Sequence, residues 1–251
     1  MTVVVWDCET ETRLPRGDAA ERELAMQRSQ VTVLCCLVFD SDDALVPGNW
    51  EQARRTALSY TFWRDVDPHG KGPFEGALAL FDEADAIVAY NGFGFDLRVM
   101  SKYYGLSKDA RHRRLQHRLK LLDPMVRIAQ ALDVRFPGLD DLLKHNGLGG
   151  KTSNGLEAIK MWEEGRREEL EEYCAADVEG LAELVFLPRL KVWGCGTLPN
   201  EVHGVAAFLR ARRALAPLPP RRDDWTLVET GAEEWVEVGA VGAVGAVPRA
   251  G

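Results

Sequence analysis

Residues 2–10 read TVVVWDCET. The valines and tryptophan form an apolar, β-branched run that stops at Asp7, which predicts a buried strand over 2–6 ending at an acidic pair. Along a strand, side chains i and i+2 share a face about 6–7 Å apart, so Asp7 and Glu9 can converge on one hard cation. An acidic pair at a strand end is by itself most often a solvated loop entry, so its meaning depends on the rest of the chain. Working outward, Val31–Phe39 is almost continuously apolar and predicts a second strand inside a sheet. Leu58–Trp63 is a weaker third strand, and AIVAY (86–90) a further one. Phe74, Leu78 and Phe81 fall at helical spacing. Further helices are expected over 95–106 with Gly105 near the end, from Pro124 to about Leu132, over Leu139–His145, and over roughly Arg166–Leu187. Strands first, then alternation, then helices predict an α/β domain with a mixed sheet and helices on its faces. Residues 11–29 read as a loop with at most a helical turn, and 201–214 as one helix. PLPP (217–220) reads as a linker, and the threefold GAV repeat from Gly239 to Val247 as a low-complexity tail. The division expected is 1–195 for the α/β domain and 196–251 for a helical extension and tail.

Composition narrows the function. Among 251 residues, 39 acidic side chains against 31 basic give a net charge of −8. That argues against coating duplex DNA through bulk positive charge, but leaves room for an enzyme that touches a few phosphates. The longest strongly apolar, charge-free stretch is the nine residues Val31–Phe39, against about 20 for a membrane span. The residues before Asp7 lack the basic segment of a signal peptide. The five cysteines show neither CxxC pairs nor zinc spacing. An odd count suits a reducing, intracellular compartment, cytoplasmic or nuclear.

Two more acidic elements join the first. In YNGFGFD (90–96), Asp96 follows a predicted strand and opens a helix, where the helix dipole favours it. Gly92 and Gly94 read as turn residues, Phe95 as a staple to the core, and Phe93 as a face on which a base could stack. In YCAAD (173–177), Tyr173 and Asp177 stand four apart on a helix and so project together. Each element has an ordinary structural explanation; the combination does not. Four carboxylates facing one another repel unless cations sit between them. Oxygen donors select Mg²⁺ or Mn²⁺ over Zn²⁺. Two such ions suit in-line attack of water on a phosphodiester.

The order DxE, NxxxFD, YxxxD resembles the DEDDy subgroup of 3′–5′ exonucleases in the RNase H-like (DnaQ-like) superfamily. It is most similar to family B DNA polymerase proofreading domains and YprB-like predicted exonucleases. The motifs match as Asp7-Cys8-Glu9-Thr10, Asn91 through Phe95-Asp96, and Tyr173 to Asp177, and the resemblance covers about residues 1–190. It implies a mixed five-stranded sheet with helices on both faces. It also implies two Mg²⁺ or Mn²⁺ ions: Asp7 bridging both, Glu9 and Asp177 completing the nucleophile-side site, and Asp96 holding the second partly through water. Tyr173 would orient the attacking water. The DEDDh subgroup carries a His five residues before the last Asp; here that position is Glu172. Thr10 and Asn91 would contact the 3′-terminal nucleotide, with Phe93 and Phe95 beside it. The partner implied is the 3′ end of single-stranded nucleic acid, DNA slightly ahead of RNA. A catalytically silent binding or scaffold module of the same fold and an RNA-trimming exonuclease are the alternatives. A protein partner for the tail is left open.

Residues 102–120 carry Lys102, Lys108, Arg111, Arg113, Arg114, Arg118 and Lys120 against Asp109 alone. They read equally well as a phosphate-tracking flank and as a solvated helix. His112 and His117 are expected at the surface. GLGGKT (147–152) fails as a P-loop, because His145 stands where the first glycine belongs, and Lys151 reads as a loop lysine. Asp123, before Pro124, reads as a helix cap.

Overall fold

Strand β1 runs Thr2–Thr10 and carries the whole DCET segment, longer than the 2–6 expected. In a computed structural model of the chain, the described residues are 1–13, 15, 18–40, 46–67, 70–133, 136–149 and 155–214. Lys151, the PLPP linker, Trp225, Trp235 and the GAV tail lie outside them. β1 is the centre of a five-stranded sheet of order β3-β2-β1-β4-β5, with β2 at Val31–Asp40, β3 at Leu58–Trp63, β4 at Ala86–Val88 and β5 at Leu121–Leu122. β1 pairs antiparallel with β2 and parallel with β4. β2 pairs antiparallel with β3, and β4 parallel with β5. This mixed five-stranded sheet, with helices on both faces, is the α/β arrangement expected from the sequence.

The alternation of β1 divides the interior in two. Val3 and Val5 enter one core, while Val4, Trp6 and Cys8 enter the other. The first core is closed by α6 (Pro124–Leu132), α7 (Leu139–His145), α8 (Gly155–Glu163) and the long α9 (Arg167–Phe186). The second is closed by α1 (Ala19–Arg28), α3 (Glu75–Glu83), α4 (Asp96–Met100) and α5 (Lys108–Lys120). Because β1, β4 and β5 are parallel, their carboxyl ends lie at one end of the sheet. Asp7 and Glu9, the 91–96 segment and Asp123 belong to those three ends.

Several elements differ from expectation. Residues 19–28 form a full helix: Asp18 caps it, accepting from the amides of Ala20 and Glu21 at 2.7 and 3.1 Å. The helix expected over 95–106 is α4 followed by a 3₁₀ turn at Ser101–Tyr104, ended by Gly105 at φ 84°. The helix expected over 201–214 is divided at Gly204 into α10 (Asn200–His203) and α11 (Val205–Ala214). A Cβ at Gly204 would lie 2.0 Å from Asn200 Oδ1. α2 (Trp50–Thr56), α8 and the hairpin of β6 (Arg189–Val192) and β7 (Gly196–Pro199) have no counterpart in the sequence reading. The 200–204 segment is held to the body where Arg127 Nε donates to the Val202 carbonyl at 2.6 Å. His117, expected at the surface, is fully buried.

Candidate active site

Asp7 and Glu9 project from the β1 face that α9 covers. The α9 stripe against the sheet is Leu170, Tyr173, Cys174, Asp177, Val178 and Leu181, all buried. Cys174 Sγ donates to the Asp7 carbonyl at 3.5 Å, so helix and strand meet at the acidic pair. One carboxylate oxygen from each of Asp7, Glu9 and Asp177 lies within 4.8 Å of the others. Asp177 is 4% exposed, and Asp7 and Glu9 are half-buried. Tyr173, one turn earlier on α9, is buried too. Residues from the first and third motifs are thus brought into one oxygen-lined group.

Asp96 is placed differently. It is the first residue of α4, almost fully buried, and its Oδ1 accepts from Cys8 Sγ at 3.4 Å. Cys8 belongs to the opposite face of β1 from Asp7 and Glu9. Among the described residues, the converging group holds Asp7, Glu9 and Asp177 and does not include Asp96. Burial pushes the Asp96 carboxyl up to about 7, with the thiol bond from Cys8 pulling the other way and Asp123 adding to the rise. Burial, and then the Asp96 and Asp7 charges, push the Cys8 thiol up, which keeps it a donor.

The 91–95 turn is shaped by close approach. Its left-handed residue is Asn91, at φ 61°, not a glycine. The amides of Gly94 and Phe95 donate to the Asn91 carbonyl at 3.0 and 2.9 Å. A Cβ on Gly94 would stand 2.3 Å from Asn91 Oδ1, and one on Gly92 2.8 Å from Ala89 Cβ. Space, not φ, requires glycine at both. Phe93 and Phe95 pack, partly buried, on the second core, and the Arg118 guanidinium stands 5.3 Å from the Phe93 ring centroid. The β1–β2 register shifts between Glu9 and Thr10. There Thr32 Oγ1 donates to the Glu9 carbonyl at 3.1 Å, and Thr10, itself buried, donates to the Thr12 carbonyl at 3.2 Å. Such irregularities re-aim a strand end.

Asp123 does more than cap. Its carboxylate accepts from Met125 and Val126 at the start of α6 (3.1 and 3.5 Å) and from the Asn91 and Phe93 amides (3.0 and 3.2 Å). It therefore ties the 91–93 turn to α6. The Asp-Pro pair announces the cap in the sequence; nothing local announces the second set of donors, which arrives by sheet pairing.

No family model and no curated protein matches the chain. Among solved structures, a family B DNA polymerase from the hyperthermophilic archaeon Pyrobaculum calidifontis is similar at TM-score 0.45 and 17% identity. The similarity covers 74% of this chain but only 26% of that one.

Proposed function

We propose that the chain is a divalent-metal-dependent 3′–5′ exonuclease that hydrolyses terminal phosphodiesters of single-stranded nucleic acid and releases 5′-mononucleotides. The observation that carries this reading is the convergence of Asp7, Glu9 and Asp177 within 4.8 Å. Three carboxylates so close, one of them nearly buried, fit a hard divalent cation bound through oxygen. Asp7, Glu9 and Asp177 would hold a first Mg²⁺ or Mn²⁺, and Asp96 a second, partly through water. Such ions supply an activated water at neutral pH and stabilise charge at phosphorus. Tyr173 would orient the attacking water through its phenol. Thr10 and Asn91 would contact the terminal nucleotide, with Phe93 and Phe95 flanking it.

The placement of Asp96 gives the silent-module reading one observation of its own, since that carboxylate is engaged with Cys8 outside the trio. The test is a gel assay of 5′-labelled single-stranded DNA and matched RNA with Mn²⁺, Mg²⁺ or EDTA. The expected result is a metal-dependent ladder shortening from the 3′ end, with DNA cut somewhat faster. Asp7→Ala and Asp177→Ala should each lower the rate at least 100-fold, the scale of losing charge stabilisation in a transition state. Intact substrates throughout, with no Mn²⁺ uptake by calorimetry, would favour the silent module.

A further inference from the structure

The basic segment 102–120 divides into two faces with different employment. Lys102 Nζ donates to the carbonyls of Gln27 (3.0 Å), Met26 (3.5 Å) and Ser29. Arg113 pairs with Glu75 and Asp82, at 3.0 and 2.6 Å. Lys120 Nζ donates to the carbonyls of Phe81 (3.2 Å) and Asp82 (2.6 Å). Arg113 and Lys120 fix the inner face of α5 to α3, along with buried Ala110 and His117, while Lys102, in the 3₁₀ turn before α5, holds the end of α1. Lys108, Arg111, Arg114 and Arg118 are exposed. Arg111, Arg114 and Arg118 fall at i, i+3 and i+7, one stripe about 10 Å long.

This stripe ends at the turn that precedes Asp96. Arg118 lies over the ring of Phe93, in the turn between β4 and Asp96. Partial burial first, and then the neighbouring charges of Arg114 and Arg98, hold the Arg118 guanidinium below its ordinary range. The like charges of Arg114 and Arg118 oppose each other where Arg118 meets the Phe93 ring, and a polyanion laid along them relieves that repulsion. A protein of net charge −8 concentrates positive charge here. Aromatic faces interleaved with arginines are the chemistry that receives single-stranded nucleic acid, through base stacking and phosphate pairing.

We propose that Phe93 and the Arg111–Arg114–Arg118 stripe of α5 form the track for the sugar-phosphate backbone on the 5′ side of the terminal nucleotide. The proposal rests on the exonuclease reading for its ligand and adds the route the strand takes. The test is fluorescence anisotropy of a labelled 15-nucleotide single strand against the full chain in EDTA, over a range of salt concentrations. Arg114→Ala/Arg118→Ala is expected to weaken binding about tenfold at low salt. It should also lower the slope of log affinity against log salt by about 1.4, for two phosphates on a single strand. Arg114→Lys/Arg118→Lys should restore most of the slope. Arg111→Ala/Arg114→Ala, both exposed on the helix surface, should lower it by a similar amount without touching Phe93. A wild-type chain that binds the strand in EDTA and shortens it once Mn²⁺ is added, while the alanine variants keep its affinity and slope, overturns the track alone. A wild-type chain that binds no single strand in EDTA but shortens it with Mn²⁺ overturns the track alone, and one that does neither overturns the track and the exonuclease reading together.

Discussion

Asp123 joins two loops through one side chain. Burial pushes its carboxyl up, and backbone amides from Phe93, Asn91, Val126 and Met125 oppose that shift. Removing the side chain exposes both consequences at once. Asp123→Ala loses a helix cap, costing about 1 kcal/mol. It also strands the partly buried Asn91 and Phe93 amides, at about 1–3 kcal/mol. A total of about 2–4 kcal/mol is expected by urea unfolding. Asp123→Asn keeps one acceptor oxygen and should lose about half as much. Because the same carboxylate holds the turn that precedes Asp96, the Asn variant should also lower exonuclease turnover more than its stability loss explains, measured well below its melting temperature. Equal turnover in Asp123→Asn and wild type would limit this residue to capping.

At the scale of elements, the sequence is legible where periodicity and punctuation agree. β2 shows its buried position in an apolar run broken only by Thr32, and α6 its start in Asp123-Pro124. α1 hides because its apolar residues are mostly alanines, Leu24 is exposed and only Met26 is buried, so its cap at Asp18 is the clearest local signal. β5 is two residues long and takes its identity from pairing with β4. α5 was legible as charge but not as two faces. His117 sits among basic neighbours, yet 110, 113, 117 and 120 trace the inner face at spacings of three and four. There His117 Nε2 meets Asp82 Oδ1 at 2.7 Å, and Nδ1 meets the Tyr104 hydroxyl at 2.8 Å. Burial holds the imidazole down to about 4; Asp82 opposes that shift, while Arg113 and Lys120 assist it. The ordinary value is about 6.5, so between pH 6.5 and 4 the unfolded chain binds a proton the folded chain refuses. Stability contributed by neutral His117 is therefore complete above about pH 6.5 and is lost as pH falls toward 4, by up to about 1.4 kcal/mol per unit. Asp82, held low by Arg113 and His117 against its partial burial, shifts in the same sense at lower pH. Asp96 and Asp123, both raised by burial, run the opposite way as pH falls, so the readout is a difference between chains. Urea midpoints from pH 7.5 to 4.5 should fall more steeply, or rise less, in wild type than in His117→Gln. An unchanged slope in the variant would place the acid sensitivity elsewhere.

At the scale of the molecule, the site exists because a strand end and the middle of α9, far apart in sequence, are brought together across the sheet. The strand pattern foretold that Asp7 and Glu9 share a face, and helical spacing that Tyr173 and Asp177 do. That α9 would lie across β1 with Cys174 at the Asp7 carbonyl follows from two-sided packing, which no local window contains. The side of β1 that Asp96 addresses was equally hidden, since the turn at Asn91 sets it. Bringing three carboxylates within 4.8 Å has a cost the whole fold carries. Without a cation they repel, and partial burial strengthens the repulsion. A cation that binds only the folded chain adds stability of about 2.7 kcal/mol at 100 times its dissociation constant. For a domain of this size that raises the melting temperature by about 5–10 °C. Asp177→Asn removes one charge from the trio and should reverse the order of stabilities. In EDTA it should melt at or above the wild-type temperature, and with saturating Mn²⁺ below it, having lost most of the metal-induced shift. Scanning calorimetry of both chains in both conditions reads the crossing directly. If Mn²⁺ moves neither melting temperature, the three carboxylates do not form a cation site, and the catalytic reading built on them fails with it.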